Sequence, residues 1–506
     1  MWGCVRLGLL LALAGLVLVG SSETGASVGA TIRVSVDSAS VQGDGASHEA
    51  APSADGRYVA FQSAASNLVA DDTNGRDDIL IRDLQTGTTQ RVSVSSGGVE
   101  GNSDSLHPAV SDDGRYVAFD SNASNLVSGD TNGWVDAFVR DCQTNSTERV
   151  SVSSAEVQAN NTSWYPAVSG DGRYVAFQSF ASNLVSGDTN NVEDVFVRDR
   201  QAGTTTRVSR ATSGTQGNNA SGGWLSISGD GRYVAFTSDA TNLVAGDTNG
   251  YGDIFVRDRD TDGDGTFDES GAVSTTRVSV DSAGAQSNGE SYYAAISADG
   301  RYVAFGSFAS NLVSGDSNGY LDIFVRDRQA GATTRVSLDS AGAQGNAGSF
   351  DPAISSDGHH VAFESFATNL VAIDTNAVED VFVRDLQAGT TERVSTDSGS
   401  AQGNGASTVP AVSADGRFVA FESLASNLVP GDTNTFCDTD GDTEADDNCP
   451  DIFLHDQFDS VGGIAELPDV SRPSTSNHTA LAALAAAALA LLAAGTWYAG
   501  KRLRPG

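Results

Sequence analysis

The chain has 506 residues, a length that suggests about three domains of ordinary size. It carries 29 Lys and Arg against 65 Asp and Glu, a net charge of −36, which argues against a nucleic-acid partner because phosphate binding needs clustered basic residues. A hydrophobic content of 39% with 56 glycines favours a core made of short segments between many turns.

The first 30 residues have the pattern of a secretory signal peptide followed by a short leader. One early positive charge, Arg6, precedes an apolar run that extends to Gly20, and small residues follow. An uncleaved membrane anchor is the alternative interpretation.

Residues 31–456 contain seven copies of one unit. A PAVS-like run precedes each copy of DGRYVAF or a close variant, and an ASNLVSGDTNG-like loop, DIFVRD and TTRVS follow it. The seven copies begin at Asp55, Asp113, Asp171, Asp230, Asp299, Asp357 and Asp415. The four landmarks of each unit predict four short strands, since β-branched and aromatic residues alternate with small or polar ones.

Four strands repeated seven times indicate an all-β fold, a seven-bladed β-propeller of four-stranded blades. An RVS-type strand precedes the first DGR unit, and none follows the last DIFLHD segment at Asp451–Asp456. We therefore expect Thr31–Ser35 to supply the outermost strand of the seventh blade, so that the N-terminal strand closes the ring.

The combination of PAVSxDGRYVAFxS and DIFVRD resembles the TolB-type, WD-repeat-like propeller repeat over all seven units. The resemblance implies the propeller fold. The long loop between the second and third strands departs from that family, so the partners of TolB are not carried over.

This long loop repeats the acidic pattern D-x-N-x-x-x-D. Carboxylates and an amide oxygen at this spacing are ligands for Ca²⁺, while an Asx turn that caps backbone groups is the alternative. The six complete copies are Asp72, Asn74 and Asp78; Asp130, Asn132 and Asp136; Asp188, Asn190 and Asp194; Asp247, Asn249 and Asp253; Asp316, Asn318 and Asp322; Asp374, Asn376 and Asp380. The seventh copy starts at Asp432 and reaches Asp451 only after an insertion.

Two insertions are further candidate calcium loops, with an acidic solvated loop as the alternative. Asp260, Asp262, Asp264 and Asp268 fit ligand positions 1, 3, 5 and 9 of a calcium loop. The segment from Cys437 to Pro450 resembles a thrombospondin type 3 calcium repeat, and the residues that match its acidic positions are Asp438, Asp440, Asp442 and Asp446. Cys437 and Cys449 flank this stretch and are candidates for a disulfide bond in an oxidising compartment.

A position-by-position comparison of the seven units shows two neighbouring positions that differ between units, on the strand expected to lie nearest the central channel. A ring of aromatic, acidic and His side chains there suits stacking against a sugar or binding a peptide, although unconstrained solvent positions vary as well. The candidate ligand-binding residues are Glu49, His107, Trp164, Tyr165, Trp224, Tyr292, Tyr293 and Asp351.

The C-terminal part predicts a linker at 457–478, a transmembrane helix at 479–500 and a basic cytoplasmic tail at 501–506. The apolar stretch is just long enough to cross a bilayer, and Lys501, Arg502 and Arg504 follow it. We expect the propeller to lie outside the cell, held at the cell membrane by this helix.

These features favour a non-enzymatic binding or adhesion scaffold with an extracellular protein or polysaccharide as partner. The alternatives are a propeller hydrolase or lyase acting on polysaccharide or peptide at the channel mouth, and a purely structural envelope protein. No catalytic residue is assigned, and Glu49, His107 and Asp351 are the acid–base candidates at the mouth. Calcium is the expected cofactor.

Overall fold

Each copy of the repeat folds into one antiparallel sheet, because its YVAFxS and DIFVRD segments alternate residues suited to a pleated, buried surface. The computed structural model describes residues 29–434 and 449–458, and these form seven sheets of four strands. The prediction of a seven-bladed, all-β propeller is confirmed.

The strands are numbered in chain order. The first is β1 (Thr31–Arg33). Blades 1 to 3 are β2 (Ser47–Pro52), β3 (Tyr58–Ser63), β4 (Asp78–Asp83), β5 (Thr88–Arg91); β6 (Ser105–Val110), β7 (Tyr116–Ser121), β8 (Asp136–Asp141), β9 (Ser146–Arg149); β10 (Ser163–Val168), β11 (Tyr174–Ser179), β12 (Asp194–Asp199), β13 (Thr204–Arg207). Blades 4 to 6 are β14 (Ser221–Ile227), β15 (Tyr233–Ser238), β16 (Asp253–Asp258), β17 (Ser274–Arg277); β18 (Ser291–Ile296), β19 (Tyr302–Ser307), β20 (Asp322–Asp327), β21 (Ala332–Arg335); β22 (Ser349–Ile354), β23 (His360–Ser365), β24 (Asp380–Asp385), β25 (Thr390–Arg393). The last strands are β26 (Ser407–Val412), β27 (Phe418–Ser423) and β28 (Asp451–Asp456).

The N-terminal strand closes the ring. The seventh sheet has the order β1-β28-β27-β26, and Ile32 lies opposite Leu454 in an antiparallel pair. The two ends of the propeller are therefore held in one blade, which removes the edge that β28 would otherwise expose.

The hydrophobic core is divided among the interfaces between blades. Seven clusters of buried residues occur, and each combines residues of two neighbouring blades. The cluster between blades 7 and 1 includes Val34, Phe61, Leu80 and Leu454. Each blade is stabilised by its two neighbours, so the ring is stable only when it is complete.

The turns between the first and second strands of each blade form a closed ring of hydrogen bonds. The residue before each DGR Asp donates its backbone N–H to the backbone oxygen of the same position in the next blade, at 2.9–3.1 Å. The series runs through Ala54, Asp112, Gly170, Gly229, Ala298, Ser356 and Ala414, which donates back to Ala54.

The glycine of the DGR turn is required on two grounds. Gly114 has a φ of +72°, and a Cβ atom there would lie 2.2 Å from the ring of Tyr58 in the preceding blade. The aromatic residue of one blade thus packs directly on the turn of the next, which sets the spacing between blades.

Several sequence predictions lie outside the described residues. These are the signal peptide and leader (1–30), the linker (457–478), the transmembrane helix (479–500) and the tail (501–506), except for residues 29–30 and 457–458. In the part of the chain that the structure describes, no helix is long and apolar enough to cross a membrane.

Val34→Ala tests the closure of the ring. Val34 follows β1 and is fully buried between blades 7 and 1, so removing two methyl groups should cost about 2 kcal/mol of unfolding free energy. Val41→Ala is the matched control because Val41 is 53% exposed in the turn that follows. Denaturant unfolding measures both, and equal losses would contradict the closure by β1.

Candidate functional site: the mouth of the channel

Seven equivalent residues, one in each blade, have a left-handed backbone although none is glycine. Each innermost strand shifts its register against the second strand, as between Trp164 and Ala167 in blade 3, and the residue at this bulge has a φ between 43° and 61°. Such a conformation costs about 1 kcal/mol or more and persists only where the surrounding structure enforces it. The seven residues, called the mouth ring below, are Glu49, His107, Tyr165, Trp224, Tyr293, Asp351 and Val409.

Blades 2 to 5 supply a continuous arc of rings. His107 lies 3.9 Å from Tyr165 between ring centroids, Tyr165 lies 5.3 Å from Trp224, and Trp224 lies 5.1 Å from Tyr293. Trp224 is 48% exposed. The four rings contact one another in series, and Trp224 and Tyr293 also line the channel cavity, where aromatic rings are surfaces on which sugars and cations stack.

The two other predicted aromatic residues lie beside this arc. The Trp164 indole N–H donates to the Glu193 carboxylate at 2.7 Å, and its ring packs edge-on against Phe180. Tyr292 lies 6.1 Å from Tyr293 between ring centroids. Both residues are near the mouth, although neither belongs to the mouth ring.

The acid–base candidates belong to blades 1, 2 and 6. His107 Nε2 lies 3.7 Å from Glu49 Oε1, and His107 Nδ1 lies 2.7 Å from Asp120 Oδ1. The negative charge of Glu49 raises the pKa of Asp351, so these two mouth-ring carboxyls repel each other when both are ionised. Residues of blades 1, 2 and 6 therefore form one electrostatic unit.

A second variable position supports the mouth ring and was missed from the sequence. It is the x of YVAFxS, and in three blades its side chain accepts an N–H group from the bulged strand of the next blade. Gly223 N–H donates to Gln178 at 2.6 Å, Val409 N–H donates to Glu364 at 2.7 Å, and Glu49 N–H donates to Glu422 at 3.4 Å. The same comparison of the seven units could have revealed it, since this position reads Gln62, Asp120, Gln178, Thr237, Gly306, Glu364 and Glu422.

Burial raises the pKa of several carboxyl groups here. The pKa of Asp351 is raised first by burial and then by the charges of Glu49 and Glu422, and that of Glu364 by burial and then by Asp351 and Glu379. Burial also raises the pKa of Glu379 to about 7. Clusters of shifted carboxyls in a concave site are typical of functional sites.

The pKa of His107 shifts upward as well. Burial would lower it, but the hydrogen bond and the charge of Asp120 outweigh burial. His48 is similar, since its contact with Glu422 at 3.2 Å raises the pKa of the imidazole.

An apolar channel lies below the mouth ring. A cavity of about 380 Å³ is lined by Trp224, Tyr293, Asp351 and Val409 and, further along the strands, by Pro, Ala, Val and Ile residues such as Pro108 and Ile354. The charged and aromatic side chains that line this cavity therefore lie at one end of the channel.

The D-x-N-x-x-x-D loops each contain an arginine between their two carboxylates. The arginine of the TTRVS strand approaches both at 3.0–3.9 Å. The arginines are Arg33 with Asp432 and Asp451, Arg91 with Asp72 and Asp78, Arg149 with Asp130 and Asp136, Arg207 with Asp188 and Asp194, Arg277 with Asp247 and Asp253, Arg335 with Asp316 and Asp322, and Arg393 with Asp374 and Asp380.

In five of the seven loops the asparagine makes the turn that was the alternative to calcium, whereas Asn190 Oδ1 in blade 3 is buried without a hydrogen-bond partner among the described residues. Asn132 Oδ1 accepts the N–H of Trp134 at 3.0 Å, and its Nδ2 donates to Asp136 at 2.9 Å. The guanidinium supplies the positive charge for which calcium was invoked. Calcium binding at these seven loops stays a prediction.

The blade-4 insertion brings three predicted ligands together. The carboxylate oxygens of Asp260, Asp262 and Asp264 lie within 4.8 Å of one another. Asp260 also accepts the N–H groups of Gly263 and Gly265. Asp268 is not part of this group and instead accepts hydrogen bonds from Arg259, the shorter at 2.6 Å.

The blade-7 insertion lies outside the described residues. Asp438, Asp440, Asp442, Asp446 and Cys437 therefore keep the status of predictions. Cys449 is disulfide-bonded, and its pairing with Cys437 stays a prediction.

Comparisons with known proteins give distant likenesses to solved structures. No protein-family model and no curated protein sequence matches the chain. Similar solved structures include an oligogalacturonate lyase in complex with manganese (13% identity, TM-score 0.48, covering 86% of this chain and 95% of that chain). TolB from Acinetobacter baumannii is 15% identical with a TM-score of 0.35, and the match covers 69% of this chain and 62% of that chain. The β-propeller domain of the Trilobed protease from Pyrococcus furiosus is 12% identical with a TM-score of 0.47, and the match covers 85% of this chain and 99% of that chain. All three likenesses have TM-scores below 0.5, and no residue role is transferred from them.

Glu364→Gln tests the buried carboxyl cluster. Because the pKa of Glu364 is raised above its ordinary value of 4.5, the folded protein keeps a proton that the unfolded chain releases as the pH rises. Stability then falls with rising pH by about 1.4 kcal/mol per pH unit until the folded-state pKa is reached. The variant should raise the unfolding free energy at pH 8 by at least about 1 kcal/mol and change it little at pH 4.

Gln178 shows that an amide fits this position, because it accepts an N–H group from the next blade as Glu364 does. Glu392→Gln on the exposed side of β25 is the control, and no pH-dependent gain is expected from it. A pH-independent effect of Glu364→Gln would contradict the shifted carboxyl.

Proposed function

We propose that the chain is a non-enzymatic binding module, and that the mouth ring is its ligand site. The observation that carries this proposal is the set of seven strained, non-glycine residues at equivalent positions, with side chains that differ from blade to blade. A fold that needed only a bulge there would favour glycine, which adopts a positive φ at no steric cost. Strain at residues of chosen chemistry indicates a function that uses those side chains.

The site combines two surfaces that suit an extracellular protein or polysaccharide. Tyr165, Trp224 and Tyr293 offer aromatic faces, and Glu49, His107 and Asp351 offer hydrogen-bonding and charged groups. A few polar groups beside an aromatic wall are typical of ligand pockets. The apolar segments at both ends of the sequence support a position outside the cell, with the C-terminal helix as membrane anchor.

Calcium at the blade-4 insertion is part of this proposal. Three carboxylates within 4.8 Å of one another match the oxygen ligands that Ca²⁺ prefers. Its role would be to stabilise the insertion, since the mouth ring lies on other segments of the chain.

A second candidate function has its own support. A carboxyl group that keeps its proton near neutral pH can act as a general acid, and burial raises the pKa of Glu364 to about 9. The neighbouring Asp351 carboxyl, whose pKa is raised to about 6, interacts with Glu49, which lies beside His107. This arrangement is compatible with a hydrolase or lyase acting on polysaccharide or peptide.

Trp224→Asn tests the mouth as the ligand site. Asparagine tolerates the left-handed backbone at this position, whose φ is 52°, so the change removes the ring without adding strain. Calorimetric titration against a panel of neutral, acidic and basic oligosaccharides and peptides should find a ligand whose affinity falls at least about tenfold in the variant. Trp134→Asn is the matched control, because Trp134 is also 48% exposed but lies on the long loop of blade 2.

Two results would contradict this function. Unchanged affinity in Trp224→Asn would place the ligand elsewhere. New reducing ends or new peptide termini in the same incubations, formed by the unaltered protein and lost in Asp351→Asn, would replace the binding module by the enzyme.

Asp262→Asn tests the calcium proposal. Millimolar Ca²⁺ relative to chelator should raise the unfolding temperature of the unaltered protein by about 1–2 °C, because a ligand that binds only the folded state stabilises it. The variant should lose this shift, and Asp71→Asn, at an exposed position of the blade-1 long loop, should keep it. A shift of equal size in all three proteins would contradict calcium at this insertion.

A further inference from the structure

The acidic side of the mouth is left without a permanent counter-charge. Glu49 and Asp351 of the mouth ring are joined there by Glu364 and Glu422 of the support position. Among the ion pairs of residues 29–434 and 449–458, none links an arginine to any of these four carboxyls, and the basic partners are the imidazoles of His48 and His107. At the seven long loops, by contrast, every acidic pair has its own arginine.

Asp351 has an acceptor that the described part of the protein does not use. Its Oδ1 atom is buried and has no hydrogen-bond partner there. A buried acceptor left without a donor costs about 1–3 kcal/mol. Asp351 lines the channel cavity together with Trp224 and Tyr293.

The aromatic arc lies across the ring from the acidic side. Tyr165, Trp224 and Tyr293 belong to blades 3 to 5, whereas the four carboxyls belong to blades 6, 7 and 1. Aromatic faces attract cations, and a planar guanidinium can stack on a ring while donating hydrogen bonds to a carboxylate from its edge. The aromatic arc and the acidic side are therefore both complementary to a guanidinium group.

The spacing of the carboxyls favours an organic cation over a metal ion. In the part of the chain that the structure describes, Asp260, Asp262 and Asp264 are the one group of three or more ligands within 4.8 Å of one another. The mouth carboxyls do not converge in that way. A larger cation that reaches several separated acceptors fits them better.

We infer that the mouth ring binds the guanidinium group of an arginine side chain presented by an extended peptide, with its donors at Asp351 Oδ1 and Glu49 and its face against the aromatic arc. This inference rests on the proposed function and specifies its ligand. The apolar walls below the ring accept the methylene stem or a neighbouring residue of the peptide. An amino sugar shares the positive charge and can also stack on Trp224, but it lacks the planar set of N–H donors with which a guanidinium reaches two carboxyls at once.

Binding of a cation releases protons at the mouth. The titratable groups that interact with Asp351 are Glu49, Tyr165, Tyr293, Glu364, Glu379 and Glu422. Burial and mutual repulsion raise the pKa values of Asp351 and Glu364, and a nearby positive charge lowers them again. Affinity should therefore increase as the pH rises from 5 to 8.

The test is calorimetric titration of the full-length protein with N-acetyl-arginine methylamide at low ionic strength. Its neutral isostere, N-acetyl-citrulline methylamide, has the same shape without the charge, and it should bind at least about tenfold more weakly. Repeating the titration in two buffers of different protonation enthalpy should reveal proton release with the arginine probe.

Asp351→Asn keeps the left-handed position available, because asparagine tolerates a φ of 43°. It should weaken arginine binding at least about tenfold, while Asp71→Asn on the exposed blade-1 loop should leave it within about twofold. Circular dichroism and the unfolding temperature establish that both variants are folded.

Each other outcome overturns the inference. Equal binding of the arginine and citrulline probes would mean that stacking alone, without the positive charge, accounts for the affinity. Equal losses of affinity in Asp351→Asn and Asp71→Asn would mean that the general negative charge of the protein accounts for it. Binding of glucosamine oligomers, but not the arginine probe, with loss in Asp351→Asn would assign an amino sugar instead. If neither probe binds but the Trp224→Asn variant loses binding of a neutral ligand, the guanidinium assignment is wrong and the binding module remains. If the binding of no ligand depends on Trp224, both the assignment and the proposed function are wrong.

Discussion

A closed circle of seven backbone hydrogen bonds sets the geometry of this propeller. Each DGR turn donates to the equivalent turn of the next blade, and Ala414 of the last blade donates back to Ala54 of the first. Such a circle needs a turn from every blade, and β1 completes the seventh sheet at the edge opposite to that turn. The aromatic residue that packs on the neighbouring glycine, as Tyr58 does on Gly114, fixes the same spacing with side chains.

The repeated DGR turns at one end of the channel allow the strands to bulge at the other end, where the mouth ring lies. Because the seven inner strands are held at their turns, each can bulge near its other end and hold a non-glycine residue in a left-handed conformation. Glu364 and Gln178 stabilise two of these bulges by accepting N–H groups from the next blade. The strain is thus supported by neighbouring blades, and the side chains at the mouth are free to differ.

Local pattern was sufficient to predict the strands, the blade count and the closing strand at Thr31, because alternation and repetition are properties of short segments. Variation among repeats also located the mouth ring. The partnership of Arg91 with Asp72 and Asp78 was not predicted, since it joins an outer strand to a loop that precedes it by two landmarks. The role of the support position was not predicted from the sequence, because a residue such as Glu364 acts there through a contact with the next blade. The shifted carboxyls depend on burial, which no sequence motif encodes.

The central claim is that the mouth holds buried carboxyls whose charge is left for a ligand. Its most direct test is an NMR titration of the side-chain carboxyl carbons of Asp351 and Glu364 in the free protein. The account predicts that both titrate above their ordinary values of 3.8 and 4.5, and that Asp351→Asn lowers the pKa of Glu364. Titration of both groups at their ordinary values would contradict it.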